Sequence, residues 1–439
     1  MSDPADGTGG RTSAWTREHA RRLERTAENT APVIYPPESK TDPDNHIWDT
    51  WLLRTPEGAV ADVGGYRVIV ALTASNDLLP GKRHDVATHR FYYSADGRHW
   101  TPGGEVFDDA DPLGSRQWAG SAVYDPETGD VRLYYTAAGV RAEGALSYTQ
   151  HLAVAHGGSI ETDAEDGVRF EGPWHHESLA HPDGEWYERQ EQSRGMIYTF
   201  RDPWYFEDPE TGEAYVLFEA NTPVPEGSDA CGGDAARQEF NGSVGIARTS
   251  KTDPTECELL PPLVDAVCVN QELERPHVVY REGTYYLFVA SHRHTFAPGI
   301  EGYDALYGFA ADSLFERYEP LNGSGLVATN PSNAPFQAYS WLAYGHRDEV
   351  LVTSFLNYYD YDRPTLDDVA YLPESEQFRR FGGTLAPTLR LGVDGRETWI
   401  RGALDHGHLP TEEEDLPETE DERIARLRAE RDDGGGDGY

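Results

Sequence analysis

Short runs of β-forming residues recur along the whole of this chain. They are rich in Val, Tyr, Phe and Thr, and turn residues such as Gly, Asp or Glu lie beside each of them. They read YRVIVALTA, RFYYSADG, VRLYYTAAG, EAYVLFEA, TYYLFVASH and EVLVTSFLNYY. No alternation of strands with helices is visible, so the pattern predicts an all-β protein: a sandwich, a barrel or a propeller.

Five elements that combine aromatic and polar residues decide among these architectures. They read IWDTW, QWAGSA, FRDPW, ELERP and QAYSW, and they centre on Asp49, Trp118, Asp202, Glu274 and Tyr339. Successive centres lie 69, 84, 72 and 65 residues apart, which is one element per four-stranded unit. A propeller brings the equivalent strand of every blade to one axis. The spacing therefore predicts a five-bladed β-propeller with a central axial active-site pocket, although the blade sequences show no clean repeat.

The ends of the chain differ from its middle. We predict a disordered segment over 1–13, a single propeller domain over 14–409, and an acidic mobile tail over 410–439. The stretch SAWTREHARRLERT predicts a helix at the start of the domain, with Ser13 as its N-cap. Length alone favours two or three domains for 439 residues, but one closed β architecture with long loops also fits.

The charge balance is extreme and points to a salty solvent. There are 77 acidic and 37 basic residues, giving a net charge of −40, and only 3 of the basic residues are lysines. Molar salt shortens the Debye length to about 3 Å and screens self-repulsion, so the composition indicates a halophilic protein. A protein that binds cations or basic partners is an alternative, but it does not explain the missing lysines. Nucleic acid is excluded as a partner.

Cysteine use and hydropathy bear on the protein's surroundings. The chain has three cysteines, Cys231, Cys257 and Cys268, without metal-ligand spacing. Free thiols are the expected state, with one disulfide as the alternative. We see no signal peptide and no apolar run long enough to cross a membrane. A soluble protein without a membrane partner is expected, and the sequence by itself favours the cytoplasm.

The stretch NQELERPHVVY places two acidic residues next to an arginine. In an extended segment, Glu272 and Glu274 share one face. Like charges at that distance raise a carboxyl pKa, which keeps an acid protonated near neutral pH. Arg275 would then hold the strand and orient a carboxylate. The alternative is an exposed, charged strand edge.

Two aspartates lie in aromatic or basic surroundings that suit sugar chemistry. Asp49 stands between Trp48 and Trp51, where it could attack a sugar held against the indole faces. Asp202 follows Arg201, which is expected to keep it ionised so that it binds sugar hydroxyls without reacting. The alternatives are a tryptophan pair in the core with a turn aspartate, and a salt-bridged turn.

In this order, these motifs resemble those of glycoside hydrolase family 68, the fructansucrases: levansucrases, inulosucrases and related β-fructofuranosidases. The stretches WTREHA and SHRHTFAPGIEGYDALYGF are also similar to the family. The resemblance covers about residues 14–405 and identifies the chain as a halophilic, haloarchaeal-type member. It implies a five-bladed propeller, in agreement with the spacing.

The resemblance also implies roles for particular residues. Asp49 matches the nucleophile, Asp202 the transition-state stabiliser and Glu274 the general acid/base. Residues that match positions lining or supporting the sucrose site are Trp48, Trp118, Arg201, Glu219, Glu272, Arg275, His292 and Tyr339.

Three positions depart from the family pattern. Similar enzymes often carry a serine that supports the nucleophile where this chain has Ala119. Members with structural calcium carry an aspartate where this chain has Gln271, so we expect no metal and no cofactor. His292 stands where some members have arginine, and it is either part of the acceptor site or an ordinary loop histidine.

The function implied is fructosyl transfer from sucrose by a retaining mechanism, with glucose release, growth of fructan or fructo-oligosaccharides, and hydrolysis as a side activity. The alternatives are a β-fructofuranosidase that mainly hydrolyses sucrose, an inverting arabinan- or xylan-type hydrolase, and a non-catalytic sugar-binding propeller. Sucrose and fructan acceptors are the expected partners, and a monomer is assumed. Enzymes of this kind are usually exported.

Overall fold

Five antiparallel blades surround one axis in the computed structural model, which describes residues 12–107, 112–163, 167–361, 363–419, 422–424 and 426–427. Each sheet begins with a strand at the axis and moves outward along the chain. The prediction of an all-β, five-bladed propeller is therefore confirmed.

The N-terminal segment contributes β1 (Ser13–Ala14) and α1 (Arg17–Ala20). Blade I consists of β2 (Asn45–Arg54), β3 (Arg67–Ser75), β4 (Thr88–Ser94) and β5 (Thr101–Glu105). Blade II consists of β6 (Arg116–Tyr124), β7 (Val131–Ala138), β8 (Gln150–His156) and β11 (His175–Ala180), with the hairpin β9 (Ser159–Asp163) and β10 (Gly167–Glu171) inserted. The inner strands β2 and β6 pair in parallel at their ends, which joins these two blades into one sheet.

Blade III consists of β12 (Phe200–Glu207), β13 (Ala214–Asn221), β14 (Gly242–Thr249) and β15 (Cys257–Asp265), and β1 adds to its outer edge in parallel. The short helix α2 (Ala235–Gln238) lies between β13 and β14. Blade IV consists of β16 (Glu274–Arg281), β17 (Thr284–Ser291), β18 (Ala305–Ala311), β19 (Glu319–Pro320) and β20 (Leu326–Thr329).

Blade V consists of β21 (Ala338–His346), β22 (Glu349–Tyr358), β23 (Phe381–Leu385), β24 (Pro387–Asp394) and β25 (Glu397–His406), with α3 (Glu374–Arg380) before β23. Short 3₁₀ helices lie in the connections between strands, at Pro80–Val86, Gln190–Gln192, Ala230–Gly233, Arg293–Thr295, Leu321–Gly323 and Asp367–Tyr371. Of these, Gln190–Gln192 lies between blades II and III.

The second strands of the blades have a clear signal in the sequence because they are buried. β13 and β22 are buried along their whole length, whereas β5 and β9 at the outside are mostly exposed. A strand covered on both faces needs a continuous apolar run, while an outer strand needs none. The apolar runs therefore mark the packed interior of each blade.

The N-terminal helix differs from its prediction. Ser13 is not its N-cap but lies in β1, where it pairs with Val264. The cap is Thr16, whose side chain accepts a hydrogen bond from the backbone N–H of His19. Trp15 is buried against Phe296 and other aromatic rings of blade IV, because docking this indole into the core outweighs the local capping signal. Residues 1–11 of the predicted disordered segment lie outside the described residues.

The expectation of three free thiols is wrong. Cys231 and Cys268 form a disulfide, and Cys257 is free. The two bonded cysteines are 37 residues apart, and the bond ties the segment around α2 to the loop before β16. Sequence spacing does not reveal which pair of cysteines meets.

The described part of the predicted tail lies against the propeller. Glu414 accepts hydrogen bonds from Arg98, and its carboxylate lies 3.1 Å from the Nε2 atom of His408. Glu422 accepts from Arg401 at 2.7 Å. Residues 428–439 lie outside the described part, so the tail as a whole stays a prediction. In the described part, no helix combines the length and the apolar character that a membrane crossing requires.

Candidate active site

Each of the five inner strands is interrupted near its start by a shift in pairing register. The shifts fall between Trp48 and Thr50, Trp118 and Gly120, Arg201 and Trp204, Glu274 and His277, and Tyr339 and Leu342. Such bulges turn a side chain away from its regular direction and are common beside active sites. The five elements predicted from the sequence are therefore structurally equivalent positions, one in each blade.

Four of these bulges hold a residue in the left-handed backbone region. The φ angles are 25° at Asp49, 61° at Asp202, 51° at Arg275 and 59° at Ser340. A non-glycine residue with positive φ costs on the order of 1–3 kcal/mol and persists only where its surroundings enforce it. The strain is concentrated around the axis, where two of the four residues are carboxylates.

Arg201 lies at the centre of a group of carboxylates. Its Nε donates to Glu219 at 2.7 Å, and its Nη2 donates to Glu272 at 3.2 Å and to Glu274 at 2.9 Å. Burial opposes the charge, but these carboxylates, Glu219 foremost, hold the pKa of Arg201 well above its usual range. One guanidinium thus holds together acidic side chains from β13, the loop before β16, and β16 itself.

Glu272 and Glu274 face the same cation, as the two-residue spacing predicted. Burial, and then the charge of Glu274, raise the pKa of Glu272 to about 7. The second carboxylate oxygen of Glu272 is buried and has no hydrogen-bond partner. The pair is therefore an interior acidic group compensated by Arg201 rather than an exposed strand edge.

Asp202 differs from its predicted electrostatic state. Burial raises the pKa of Asp202 to about 7, and the charges of Glu274 and Asp49 add to the rise, while Arg201 only partly opposes it. The sequence led us to expect that Arg201 keeps this aspartate ionised. Arg201 instead gives its hydrogen bonds to the three glutamates, which sequence adjacency does not reveal.

Arg275 supports the site from behind. Its guanidinium donates to the backbone oxygen and the hydroxyl of Ser340, both at 2.7 Å, and to the backbone oxygen of Thr50. Its backbone N–H donates to Asp202 at 3.1 Å. These contacts join blades I, III, IV and V near the axis and fix the Asp202 carboxylate.

Glu274 has further partners from blades IV and V. The hydroxyl of Tyr339 donates to its carboxylate, and the Nε2 atom of His292 lies 3.9 Å from the same oxygen. The Nδ1 atom of His292 lies 3.0 Å from Asp304. Burial lowers the pKa of His292, but the charge of Asp304 and its hydrogen bond, followed by Glu274, raise it to about 9. His292 is therefore an imidazolium near neutral pH.

A cavity of about 510 Å³ opens at this end of the axis. Four of the predicted site residues line it directly: Asp49, Glu274, His292 and Tyr339. Trp48 is fully buried and packs edge-to-face on His84, with centroids 5.3 Å apart. The indole N–H of Trp118 donates to the backbone oxygen of His84. Asp49 and Glu274 thus face one pocket, whose walls also carry basic side chains such as Arg83 and His292.

Sequence reasoning missed several residues of this pocket. Arg83 and His84, from the 3₁₀ helix Pro80–Val86, line it, and so do Asn357 of β22 and Asp367 and Tyr371 of a second 3₁₀ helix. Only the basic triplet Lys82–His84, in a chain with three lysines, could have drawn attention to the first helix.

Thr136 is a further residue that sequence reasoning missed. It links Asp202 to Ala119, one of the positions that depart from the family pattern. Its hydroxyl donates to the backbone oxygen of Ala119 at 3.0 Å and accepts from the backbone N–H of Asp202 at 2.8 Å. A methyl group stands at Ala119 where similar enzymes have a hydroxyl, so this side chain offers Asp49 no hydrogen bond. The main chain of Ala119 nevertheless helps to place Asp202.

One group of side chains in the described part has the spacing of metal ligands. Donor atoms of Glu272, Glu274 and His292 all lie within 4.8 Å of one another. Arg201 already donates to both glutamates, and a protonated imidazole is not a metal ligand. Arg201 and His292 thus supply positive charge where a metal ion would otherwise supply it. Gln271, at the family's calcium position, donates to the backbone oxygen of Ile197.

The fold and the site define a five-bladed β-propeller with an acidic axial pocket. The family model described as levansucrase/invertase matches residues 5–410, and the chain belongs to this family. An extracellular sucrase of Zymomonas mobilis is 35% identical, over 91% of this chain and 95% of its own. A levansucrase of Rahnella aquatilis is 34% identical, over 90% and 96%. The structure of an inulosucrase from Halalkalicoccus jeotgali bound to kestose is 60% identical, covering 93% of this chain and 100% of its own, with a TM-score of 0.91.

Proposed function

We propose that this protein is a fructansucrase that transfers fructosyl units from sucrose and forms inulin-type, β-2,1 linkages. The observation that carries the proposal is the arrangement around Arg201, which holds Glu274 at a pocket that Asp49 also lines. The 60% identity to the Halalkalicoccus inulosucrase favours the inulin-type linkage over the β-2,6 linkage. The extracellular sucrase among its relatives favours a site of action outside the cell.

In the first step, Asp49 attacks the anomeric carbon of the fructosyl unit, and the bond from that carbon to the glucosyl oxygen breaks. Glu274 gives its proton to the departing oxygen, so glucose leaves neutral and a fructosyl ester forms on Asp49. This is the double displacement of retaining enzymes. Asp202, which is close enough to Asp49 and Glu274 to interact with both electrostatically, stabilises the oxocarbenium-like transition state through sugar hydroxyls.

Two carboxyl groups beside the proposed acid have raised pKa values. Burial raises the pKa of Asp202 and of Glu272 to about 7. These two neighbours thus hold their protons more strongly than ordinary carboxyl groups do. Tyr339 and Arg201 hold the Glu274 carboxylate in place as it loses and regains its proton.

In the second step, Glu274 takes a proton from water or from a sugar hydroxyl, and that oxygen displaces Asp49. A second cavity of about 210 Å³ favours the sugar as acceptor. It shares His294, Leu366 and Asp367 with the catalytic pocket and extends the pocket toward Phe336. The two cavities together offer a groove for an oligosaccharide, which supports transfer over hydrolysis.

Incubation with sucrose in about 3 M NaCl tests the proposal, since the surface charge needs screening. We expect glucose in excess of free fructose, together with oligosaccharides whose glycosidic carbons report β-2,1 linkages by NMR. Equal glucose and fructose would indicate a β-fructofuranosidase instead. Sucrose that binds but stays intact would indicate a non-catalytic propeller. Products with β-2,6 linkages would refute the proposed linkage but not the proposed fructosyl transfer.

A further inference from the structure

Arg54 occupies the opposite end of the propeller axis from the catalytic pocket. It is the last residue of β2, whereas Asp49 lies in the first half of the same strand. Its side chain is buried, and its Nη2 donates to the backbone oxygen of Tyr205 at 2.9 Å. The guanidinium lies over the ring of Trp204, 3.5 Å from its centroid. These contacts orient the cation but bring it no negative charge.

No carboxylate in the described part of the chain forms an ion pair with Arg54, in contrast to the pairing of Arg201 with Glu219. Burial lowers the pKa of Arg54 to about 9, and no carboxylate contributes in the opposite direction. A buried charge without a counter-charge is unfavourable. In a chain with 77 acidic residues, the absence of a partner at this position needs an explanation.

A cavity lies beside this guanidinium. Its volume is about 230 Å³, and its walls come from the last residues of four inner strands, among them Trp204, Phe206, Val279 and Tyr344. The Nε of Arg54 is buried and has no hydrogen-bond partner. Its Nη1 lies near Gly58, where an added Cβ would be only 3.8 Å away. The guanidinium of Arg54 thus forms part of the wall of a small cavity that is lined by both apolar and polar residues.

Two acidic residues stand in the wall of the same cavity. Glu207 accepts a hydrogen bond from Lys251, and Glu57 is exposed to solvent. Neither of the two forms an ion pair with Arg54 among the described residues.

We propose that this cavity binds a small monovalent anion, which is chloride in NaCl solutions. The guanidinium supplies the charge and the free N–H donors, and the aromatic and aliphatic walls favour an ion that loses its hydration shell easily. A volume of about 230 Å³ holds one such ion with several waters, since a water occupies about 30 Å³. The bound anion neutralises the charge of Arg54, with which no carboxylate in the described part of the chain forms an ion pair.

Bromide is the probe that locates the site, because it replaces chloride and scatters anomalously. Crystals grown or soaked in NaBr should show an anomalous peak within hydrogen-bond distance of the Arg54 Nε or Nη1. The result that overturns the proposal is a cavity that contains only water while bromide peaks appear elsewhere on the protein.

Thermal unfolding gives a second measurement in solution. At constant ionic strength, replacing sodium gluconate by sodium chloride should raise the Tm of the wild type by a few degrees in a saturable way. Arg54→Met should lose that rise. Arg25→Met is the matched control and should keep it, because Arg25 also lies over an aromatic ring, Tyr303, but does not line this cavity.

Parallel chloride responses in the wild type and in Arg54→Met would overturn the proposal. If Arg54→Met does not fold, the bromide position in wild-type crystals decides alone. Neither measurement uses sucrose, so the outcome is independent of the proposed function.

Discussion

His292 and Tyr339 stack face to face, with ring centroids 3.7 Å apart and planes inclined by 12°. The hydroxyl of the same tyrosine donates to Glu274. The imidazolium, the phenol and the proposed acid therefore form one group of contacting side chains in the wall of the pocket.

His292→Ala should lower the ratio of transfer to hydrolysis more than it lowers sucrose consumption. The imidazole can hydrogen-bond an acceptor hydroxyl, and it lines the pocket beside Glu274, with its Nε2 atom 3.9 Å from that carboxylate. Glucose counts every cleavage and free fructose counts those ended by water, so both are measured in parallel. A fructose-to-glucose ratio that does not change would remove His292 from the acceptor site.

The charge on His292 should also contribute to stability in a defined pH window. Its pKa is raised to about 9 in the folded protein, against about 6.5 in the unfolded chain. The contribution is therefore complete below pH 6.5 and disappears as the pH rises through about 9. Its size is on the order of 3 kcal/mol.

Denaturant unfolding of the wild type and His292→Gln across this range measures the contribution, and the difference between them should shrink toward high pH. Asp304→Asn removes the partner nearest to the imidazole and should shift the window to lower pH. A difference independent of pH between 6 and 9.5 would mean that His292 is neutral in the folded protein.

Asp49→Asn and Glu274→Gln should each abolish most turnover of sucrose while the fold survives. Both changes keep the shape of the side chain and remove the reactive carboxylate, and the loss of a general acid costs about 10²–10⁴ in rate. Initial rates and Tm are measured together. Glu185→Gln, an exposed site far along the chain from both residues, serves as the control. A variant that kept a tenth of the wild-type rate would contradict the role assigned to its residue.

Tyr371→Ala should shorten the products without slowing sucrose consumption. This tyrosine lines the pocket but is 87% exposed, which leaves its ring free to stack on the distal units of an acceptor. Product lengths are compared by chromatography at equal glucose release. Tyr35→Ala is the matched control, since Tyr35 is 78% exposed and outside the pocket. If both variants gave the wild-type distribution, the rim would have no role in chain length.

Stability should depend on salt. The net charge is −40, and at about 0.01 M salt the Debye length of about 30 Å lets surface charges repel one another across the molecule. We expect the Tm to rise markedly between about 0.05 M and 3 M NaCl, with activity rising in parallel. A flat Tm over this range would refute the halophilic interpretation.

Much of the fold could be predicted because its signals are local. The runs that became β13, β17 and β22 are continuous and apolar, since the middle of a blade is buried on both faces. The spacing from Asp49 to Tyr339 indicated five blades, and the motifs indicated the family; both predictions are confirmed. The catalytic roles of Asp49, Asp202 and Glu274 stay predictions, although the structure brings these residues to one end of the axis.

The predictions that failed were those that depend on contacts between residues distant in the sequence. Ser13 has the chemistry of a helix cap, but it pairs with Val264, because the burial of Trp15 fixes the chain there. Cys231 and Cys268 meet only because the loops of one blade fold together. Arg83 and His84 reached the pocket from a 3₁₀ helix that carries no catalytic motif.

The sequence by itself determined which residues are available: the order of the carboxylates, the five elements and the charge of the surface. The tertiary structure alone decided their protonation and their partners. Arg201 precedes Asp202 in the chain but binds Glu219, Glu272 and Glu274, and burial raises the pKa of Asp202 to about 7. The physical reason is that a pKa depends on desolvation and on charges within a few ångströms, and in a propeller those neighbours come from different blades.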